Sequence, residues 1–467
     1  MKKLIITSFL LAFSIIATTV FSPIYASGTV ANANTTNEAL TTTTDSFLNV
    51  ADWPVAPEIV GEAALLIEAE SGVVLYEKNS KATMYPASIT KLMTALLVLE
   101  NCSLEEMVPF SQKAVFSLPS GASHIAINPG EELSVEHCLY GLLLASANEV
   151  ANALSEYVGG SMENFSVLMN NRMKELGAED TNFVNPSGLH EDEHYTTCHD
   201  MALLCRELIK NKTFLKINGT TSYVIPPTNL QPLKRPINTT HKLLRKGSTN
   251  YSGAFGGKTG HTDIAGNTLI TFAKRNDMTL ICIIMKSDAN HIYSDTTSLL
   301  DYGFSYFKEV NISESETSFD FTGNLIDSND YPLFNNPNPT LSLSDNSYVY
   351  IPVTADFKDL KYTISTDNNK SGVFSTITYS YNNHFVGEAY LLATSSNTPD
   401  SPNRNIYSDE DSSLRIIEIR PIHIIIFISA IILIIALIVY LKVTRIARIR
   451  RKRIRRQKRL QRQKLHK

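Results

Sequence analysis

Residues 85–96 read YPASITKLMTAL and open an apolar segment that continues to Leu99 without a Gly or Pro after residue 86. If this segment forms a helix, its own apolar residues lie on every side of that helix. A helix that is apolar all round is buried in a core. Pro86 and Ala87 come directly before Ser88, so we expect the helix to begin at Ser88. Free backbone N–H groups at that end favour negative charge nearby. The segment therefore predicts a core helix whose first turn can stabilise an anion.

Ser88 and Lys91 form an S-x-x-K motif in the first turn of this predicted helix. Side chains at positions i and i+3 share a helix face, with Cβ atoms about 5–6 Å apart, so the amine can reach the hydroxyl. A serine needs a base to become a nucleophile, and a lysine serves as that base only when desolvation lowers its pKa. The motif is weak alone, because Ser305 and Lys308 repeat it late in another predicted helix, where we interpret it as structural.

The segments around this helix combine strands and helices in a pattern typical of the α+β class. Residues 62–67 and 73–76 predict one β-hairpin, and residues 268–273 and 279–285 predict another. Strands that flank a long helical middle favour an antiparallel sheet with helices packed on it. The predicted helices cover residues 134–144, 148–157, 161–175, 197–210 and 292–308.

After residue 310 the composition shifts towards Ser, Thr, Asn, Asp and Tyr. Short alternating runs at 348–353, 376–381 and 387–392 predict a small all-β domain. We therefore expect an α+β domain at residues 57–310 and an all-β domain at residues 311–396.

Two further short motifs lie inside the predicted α+β domain. Ser146-Ala147-Asn148 is an S-x-N motif, which recurs elsewhere in the chain and means little alone. Lys258-Thr259-Gly260 occurs once and follows two glycines, which leave the backbone open to close approach by a ligand. The order S-x-x-K, S-x-N, K-T-G, at separations of 58 and 112 residues, is much more specific than any one motif.

This ordered triplet resembles the penicillin-recognising serine acyltransferases. More closely, the chain is similar to the serine-type D-Ala-D-Ala carboxypeptidases, the low-molecular-mass penicillin-binding proteins of peptidase family S11. The matching segments are residues 85–96, Asn185-Pro186-Ser187-Gly188-Leu189, His194-Tyr195-Thr196-Thr197 and Lys258-Thr259-Gly260-His261-Thr262. The resemblance is strong over about residues 56–310 and architectural over 311–396. It implies a β-lactamase/transpeptidase-like domain with an antiparallel sheet and a helical subdomain.

The resemblance implies catalytic roles for three residues. Ser88 is acylated by the penultimate D-Ala carbonyl of a peptidoglycan stem peptide, which releases the terminal D-Ala. Lys91 accepts the proton of Ser88, and Ser146 relays a proton towards the leaving amine. β-Lactam antibiotics acylate the same serine and act as inhibitors.

The resemblance also implies substrate-binding roles. Asn148 holds the substrate backbone, and Lys258 and Thr259 bind the terminal carboxylate. The backbone N–H groups of Ser88 and of His261, the residue after Gly260, form the oxyanion hole. No metal or cofactor is required. One departure from the family pattern is Glu149, where relatives often have Asp.

Charge is segregated along the chain, which has a net charge of −4. Residues 442–467 hold fourteen Lys or Arg and no Asp or Glu, which leaves 26 basic and 46 acidic side chains in residues 4–441. Residues 424–441 are apolar except for Ser429 and Tyr440 and would span about 27 Å as a helix, close to the hydrocarbon thickness. We predict a transmembrane helix at 421–441 with a cytoplasmic basic tail at 442–467, near anionic lipid.

The N-terminal residues complete the predicted topology. Lys2 and Lys3, followed by an apolar run at 4–16, predict a signal peptide at residues 1–26, with an uncleaved anchor as the alternative. Residues 27–56 predict a flexible spacer and residues 397–420 a polar linker. The catalytic domain is then expected outside the cell membrane, on the cell-wall side.

Several rival interpretations remain open from the sequence. A metal site is one, because five possible ligands cluster at His190, Asp192, His194, Cys198 and His199. A β-lactamase is another, although no matching segment for its deacylating Glu lies between the second and third motifs. The last is a non-catalytic, membrane-bound β-lactam receptor or sensor.

Two further features of composition bear on partners. The basic tail lacks aromatic residues, so we expect no nucleic-acid partner. The five cysteines are odd in number and widely spread, which favours buried thiols and leaves room for one disulfide.

Overall fold

The structure is a computed structural model that describes residues 53–316, 340–344, 346–365 and 373–394. The predicted signal peptide, linker, transmembrane helix and basic tail lie outside these ranges, as does most of the predicted spacer. In the part of the chain that is described, no helix has the length and apolarity to cross a bilayer.

Nine strands lie between residues 63 and 287 in the described chain, and four of them correspond to the two predicted hairpins, with ends that differ by one or two residues. They are β1 (Ala63–Glu68), β2 (Val74–Lys78), β3 (Met107–Pro109), β4 (Glu132–Ser134), β5 (Ser222–Ile225), β6 (Arg235–Asn238), β7 (Ala254–Thr262), β8 (Gly266–Arg275) and β9 (Met278–Ser287). Five of them form an antiparallel sheet in the order β2-β1-β9-β8-β7, which leaves β7 at an edge. The other four form two short ribbons, β3 with β4 and β5 with β6.

The helices of the described chain include all of those predicted from the sequence, with ends shifted by up to three residues. They are α1 (Lys91–Asn101), α2 (Gln112–Phe116), α3 (Val135–Leu144), α4 (Asn148–Gly159), α5 (Met162–Glu175), α6 (Cys198–Leu208), α7 (Lys212–Asn218), α8 (Ile292–Tyr306) and α9 (Ile312–Ser315). The shortest ones, such as α2 and α7, were not predicted, because a few residues carry too little periodicity to show a helical pattern.

The five-stranded sheet is buried on both faces. Along β1, Ala63, Leu65 and Ile67 belong to a core shared with α1, α3, α4 and α6. The alternate residues Ala64 and Leu66 belong to a second core shared with α8. Successive strand residues point to opposite faces, so one strand serves both cores. The α+β architecture predicted from the sequence is confirmed.

Ser88 does not begin the core helix, and that expectation is wrong by three residues. It lies in a 3-10 turn, Ala87–Thr90, and α1 begins at Lys91. Tertiary contacts hold this turn: Thr268 Oγ1 donates to Pro86 O at 2.9 Å. Ala87 has a φ of +49°, in the left-handed region that non-glycine residues rarely adopt. Contacts from the sheet therefore override the apolar helical pattern at the nucleophile.

A second antiparallel sheet follows α8. Its strands are β10 (Phe307–Asn311), β11 (Thr340–Leu343), β12 (Tyr348–Pro352), β13 (Lys361–Ser365), β14 (Val373–Tyr381) and β15 (His384–Thr394). The sheet begins at Phe307, four residues before the predicted boundary of the all-β domain. The described residues all belong to one compact unit, so the independence of that domain stays a prediction.

Trp53, inside the predicted spacer, packs between the two sheets. Its ring stacks on His384, with centroids 4.0 Å apart, and its Nε1 donates to Leu75 O at 3.3 Å. Tyr302 adds a hydrogen bond from its hydroxyl to Pro54 O at 2.8 Å. The sequence indicated that order begins near Pro57. The structure shows ordered contacts at least four residues earlier, from Trp53.

Candidate active site

Ser88 and Lys91 lie within reach of each other at the start of α1. Lys91 Nζ is 2.9 Å from Ser88 Oγ. The lysine is fully buried, and its Nζ also lies 2.7 Å from both Asn148 Oδ1 and Ser187 O. Asn148 Nδ2 donates to Ser123 O at 2.9 Å, which fixes the amide so that its oxygen faces Lys91.

This arrangement suits a neutral amine on Lys91. Burial, and then repulsion from the charge of Lys258, hold the pKa of Lys91 well below its usual value. A neutral amine has two N–H groups and one lone pair. Asn148 Oδ1 and Ser187 O accept the two N–H groups, so the lone pair faces the Ser88 hydroxyl. The geometry is that of a general base hydrogen-bonded to a nucleophile.

The second serine–lysine pair joins Ser146 and Lys258. Lys258 Nζ donates to Ser146 Oγ at 2.9 Å and to Thr259 O at 2.8 Å. Burial lowers the pKa of Lys258 to about 7. Ser146 lies between α3 and α4 with a φ of +58°, so its backbone is held in a sparsely populated region. Strain of this kind, of order 1–3 kcal/mol, is common at functional sites.

Strand β7 forms one wall of the site with its free edge. Gly260 lies against the turn that carries Ser88, and a Cβ atom on Gly260 would stand 2.8 Å from the Ser88 backbone nitrogen. Thr259 Oγ1 is 2.7 Å from Thr240 Oγ1, and His261 is exposed. An edge strand has unpaired backbone groups, so an extended peptide can pair with it.

A cleft of about 1140 Å³ runs past both serine–lysine pairs. Of the residues predicted from the sequence, Ser88, Ser146, Asn148, Thr259, Gly260 and His261 line this cleft. Lys91 and Lys258 are buried behind its wall, at 0% and 1% exposure. Three segments that are far apart in the chain thus meet in one place. Ser305 and Lys308, the second S-x-x-K motif, do not line this cleft, and Lys308 Nζ donates to Val353 O.

Sequence reasoning missed several residues of the site. Ser187 contributes its carbonyl to Lys91, and Ser123 orients Asn148 through its own carbonyl. Ser187 was part of a matching segment but had no role, because a backbone carbonyl leaves no mark on residue type. Thr240 and Lys242, which line the cleft near Thr259, carried no motif at all.

The histidine-rich loop before α6 has a structural role in this geometry. His194 is buried, and its Nδ1 accepts the Val184 backbone N–H at 3.1 Å. Its Nε2 therefore carries the proton and lies 2.9 Å from Thr90 Oγ1, in the turn between Ser88 and Lys91. Thr197 caps α6 by accepting the Asp200 N–H at 3.0 Å. In the described chain no three possible ligands group together as a metal site.

Glu149 and the cysteines are also accounted for. Glu149 is buried, its Oε1 accepts the Ile125 N–H at 2.6 Å, and burial raises its pKa. Its carboxyl contributes an attraction that opposes the lowering of the Lys91 pKa. All five cysteines are free thiols, and Cys102 is the one that is partly exposed.

A serine hydroxyl beside a buried lysine amine, on an antiparallel α+β scaffold, is the arrangement typical of active-serine acyl-transfer sites. The family model for D-alanyl-D-alanine carboxypeptidases of peptidase family S11 matches residues 51–289, just over half of the chain. The chain therefore belongs to the D-alanyl-D-alanine carboxypeptidase family, as its motifs predicted.

Named relatives agree with this membership. The chain is 36% identical over 254 residues to D-alanyl-D-alanine carboxypeptidase DacF of Bacillus subtilis, a match that covers 53% of this chain and 63% of DacF. It is 31% identical over 285 residues to D-alanyl-D-alanine carboxypeptidase DacC of Escherichia coli, covering 56% and 66%. The chain thus spans slightly less than two thirds of the length of these relatives.

Solved structures show the same fold. The D-alanyl-D-alanine carboxypeptidase DacD of Francisella tularensis is 25% identical, with a TM-score of 0.57, and the match covers 73% of this chain and 94% of that one. The D-alanyl-D-alanine carboxypeptidase of Mycobacterium tuberculosis H37Rv is 26% identical, with a TM-score of 0.50 and coverage of 55% and 95%. The transpeptidase-like α+β fold predicted from the motifs is confirmed.

Proposed function

We propose that this protein is a serine-type D-alanyl-D-alanine carboxypeptidase that removes the terminal D-Ala from peptidoglycan stem pentapeptides through an acyl-enzyme on Ser88. The observation that carries the proposal is the 2.9 Å separation of Lys91 Nζ and Ser88 Oγ, with a lone pair of Lys91 facing the hydroxyl. Family membership and the names of the relatives support the same reaction.

In acylation, Ser88 Oγ bonds to the carbonyl carbon of the penultimate D-Ala while its proton passes to Lys91 Nζ. The carbonyl oxygen becomes an oxyanion, held by the backbone N–H groups of Ser88 and His261. A preorganised donor of this kind contributes about 3–4 kcal/mol to the transition state. The close approach of Gly260 to the Ser88 turn supports this pairing of the two donors.

The leaving D-Ala takes a proton from Ser146 as the C–N bond breaks. Ser146 Oγ is hydrogen-bonded to Lys258, which supports its role as a proton relay. Lys258 Nζ, at 2.9 Å, then returns a proton to Ser146 Oγ. Exchange with water gives Lys258 its proton back and removes the one held by Lys91, so Lys91 is neutral again. In deacylation, Lys91 takes a proton from water as the water oxygen bonds to the acyl carbon, and returns it to Ser88 Oγ as the ester breaks.

The same residues would orient the substrate. Asn148 would hold the peptide backbone against the cleft, and the substrate would extend along the free edge of β7. Thr259 and Lys258 would bind the terminal carboxylate. A β-lactam carries a carboxylate and a reactive amide in a similar relation, so we expect it to acylate Ser88 and to inhibit the enzyme.

Mass spectrometry of the purified full-length protein with a stem pentapeptide tests the reaction class. The proposal predicts a product lighter by one alanine residue, together with free D-alanine, and no such product with Ser88→Ala. An unchanged pentapeptide would contradict it. A product cleaved at any other bond would do the same.

Two alternatives have distinct outcomes in the same experiment. A non-catalytic β-lactam receptor or sensor would be acylated by labelled penicillin but would leave the pentapeptide intact. A β-lactamase would hydrolyse penicillin in many turnovers. Against the second alternative, the sequence has no matching segment for a deacylating Glu between the second and third motifs, and Glu149 is buried and bonded to Ile125.

Location follows from the sequence pattern. We infer a single-pass cell-membrane protein whose catalytic domain faces the cell wall and whose basic tail, residues 442–467, lies at the cytoplasmic lipid surface. The apolar run at 424–441, directly followed by Lys442, supports this orientation. Protease treatment of intact cells should remove the catalytic domain and spare an epitope tag placed at the C-terminus. Digestion of that tag would contradict the orientation.

A further inference from the structure

The charged residues that line the cleft are unevenly distributed. Lys242 is the one Lys or Arg among the described residues that line it. Two acidic residues, Glu191 and Asp263, also line it. Asp263 lies four residues beyond Thr259 on the β7 side, which corresponds to about 13 Å of extended chain. A free carboxylate in this cleft is therefore attracted by Lys242 and repelled by Glu191 and Asp263.

The segment that carries Lys242 is held against the sheet by the two residues before it. Thr240, two residues earlier, has its Oγ1 at 2.7 Å from Thr259 Oγ1. His241 is buried, and its Nε2 lies 3.1 Å from Ile270 O and 3.0 Å from Thr271 Oγ1 on β8. The segment that carries Lys242 is thus anchored on both sides of the K-T-G motif.

The ammonium of Lys242 is available to a ligand. The side chain is exposed, and Nζ lies 5.1 Å from the centroid of the Tyr293 ring, which also lines the cleft. A cation–π contact positions the charge without neutralising it. Among the described residues no carboxylate forms an ion pair with Lys242.

Lys258 alone is poorly suited to hold a carboxylate. It is 1% exposed, and it already donates to Ser146 Oγ and Thr259 O. Burial lowers the pKa of Lys258 to about 7, so this lysine does not supply a constant positive charge near neutral pH. A full counter-charge for the carboxylate therefore has to come from another residue.

We propose that Lys242 is a specificity-determining residue that binds the free α-carboxylate of the terminal D-Ala and so favours carboxypeptidase substrates over internal peptide bonds. The inference rests on the proposed function. It predicts that peptides with a free C-terminus are preferred because Lys242 binds their carboxylate. The chemical step at Ser88 should not depend on Lys242.

Two peptides that give the same acyl product test this inference. Nα,Nε-diacetyl-L-Lys-D-Ala-D-Ala and its C-terminal amide both yield diacetyl-Lys-D-Ala, which mass spectrometry quantifies in the full-length protein. Lys242→Met should lower the ratio of kcat/KM for the carboxylate peptide to that for the amide by roughly fivefold or more, mostly through KM. Lys242→Arg should restore the ratio. Lys246→Met, a charge loss in the same loop outside the cleft lining, should leave it unchanged.

The outcomes separate the inference from the proposed function. A ratio unchanged in Lys242→Met, or an equal loss for both peptides, would overturn the role of Lys242 while the wild-type activity stands. Wild-type protein that cleaves neither peptide would overturn the proposed function, and the inference with it. Higher ionic strength should reduce the wild-type ratio and have a smaller effect on Lys242→Met, because an exposed ion pair is screened by salt.

Discussion

Gly260 and Ser88 approach so closely that a Cβ atom on Gly260 would stand 2.8 Å from the Ser88 backbone nitrogen. The same atom would overlap with the hydroxyl of Thr268, which bonds to Pro86 O. A glycine in the K-T-G motif thus sets the spacing between the edge strand and the nucleophile turn. The sequence predicted an unhindered strand edge at this glycine. The structure shows that the Ser88 turn and the Thr268 hydroxyl lie against it.

Gly260→Ala should therefore lower the rate of acylation by about a hundredfold, because a displacement of about 1 Å at a reacting group has an effect of that size. The measurement is the second-order rate constant for labelled penicillin. Gly177→Ala is the matched control, since a Cβ there meets no atom within 4 Å. It should cost about 1–2 kcal/mol of folding free energy, because φ is +84°, without changing acylation. Equal acylation rates in the two variants would refute the steric role of Gly260.

Ser88→Ala should abolish both covalent penicillin labelling and D-Ala release, because the lone pair of Lys91 then faces no hydroxyl. Ser305→Ala changes the serine of the second S-x-x-K motif and should leave both activities unchanged. Gel fluorescence of the labelled protein and D-alanine assay provide the two measurements. Labelling that persists in Ser88→Ala would assign the nucleophile to another residue.

Substrate binding should weaken as the pH rises through about 7. The pKa of Lys258 is lowered to about 7, so its ammonium is present below that pH and lost above it. KM for a peptide with a free carboxylate should therefore rise between pH 6 and 8. The C-terminal amide of the same peptide serves as the control and should show a flatter KM profile. A KM that falls over this interval would contradict the sign of the effect.

His194 should act as a positioning residue for the turn that carries Ser88. His194→Leu leaves the Thr90 hydroxyl and the Val184 N–H without partners, at a cost of about 1–3 kcal/mol. His194→Gln keeps one donor and one acceptor and should retain most of the stability and of the acylation rate. Urea unfolding and penicillin acylation measure the two effects.

The predicted effect of His194→Leu depends on a neutral imidazole ring and not on its protonated form. Burial, and then repulsion from Lys91, lower the pKa of His194 to about 3, so the ring is neutral at working pH. The loss of activity in His194→Leu should accordingly be the same at pH 6 and pH 8. A loss confined to the lower pH would indicate that the ring acts through its charge, which would contradict a positioning role.

The sequence by itself determined the fold class, the longer helices, four strands of the main sheet and the family, and it predicted which residues carry the chemistry. Periodic apolar patterns fix helices such as α4 and α6 because their burial depends on spacing within a few residues. The motif residues could be predicted because a nucleophile, a base and a carboxylate ligand each require a particular side chain.

Only the tertiary structure decided how those residues act on one another. The 3-10 turn at Ser88 and the lone-pair direction of Lys91 depend on Thr268 and Ser187, which are distant in the chain. The lowered pKa of Lys258 likewise comes from burial, and Thr240 lies beside Thr259 because its segment bonds to β7 and β8. Desolvation and hydrogen bonding act through space, so a one-dimensional pattern can name these groups without fixing their geometry or their charge.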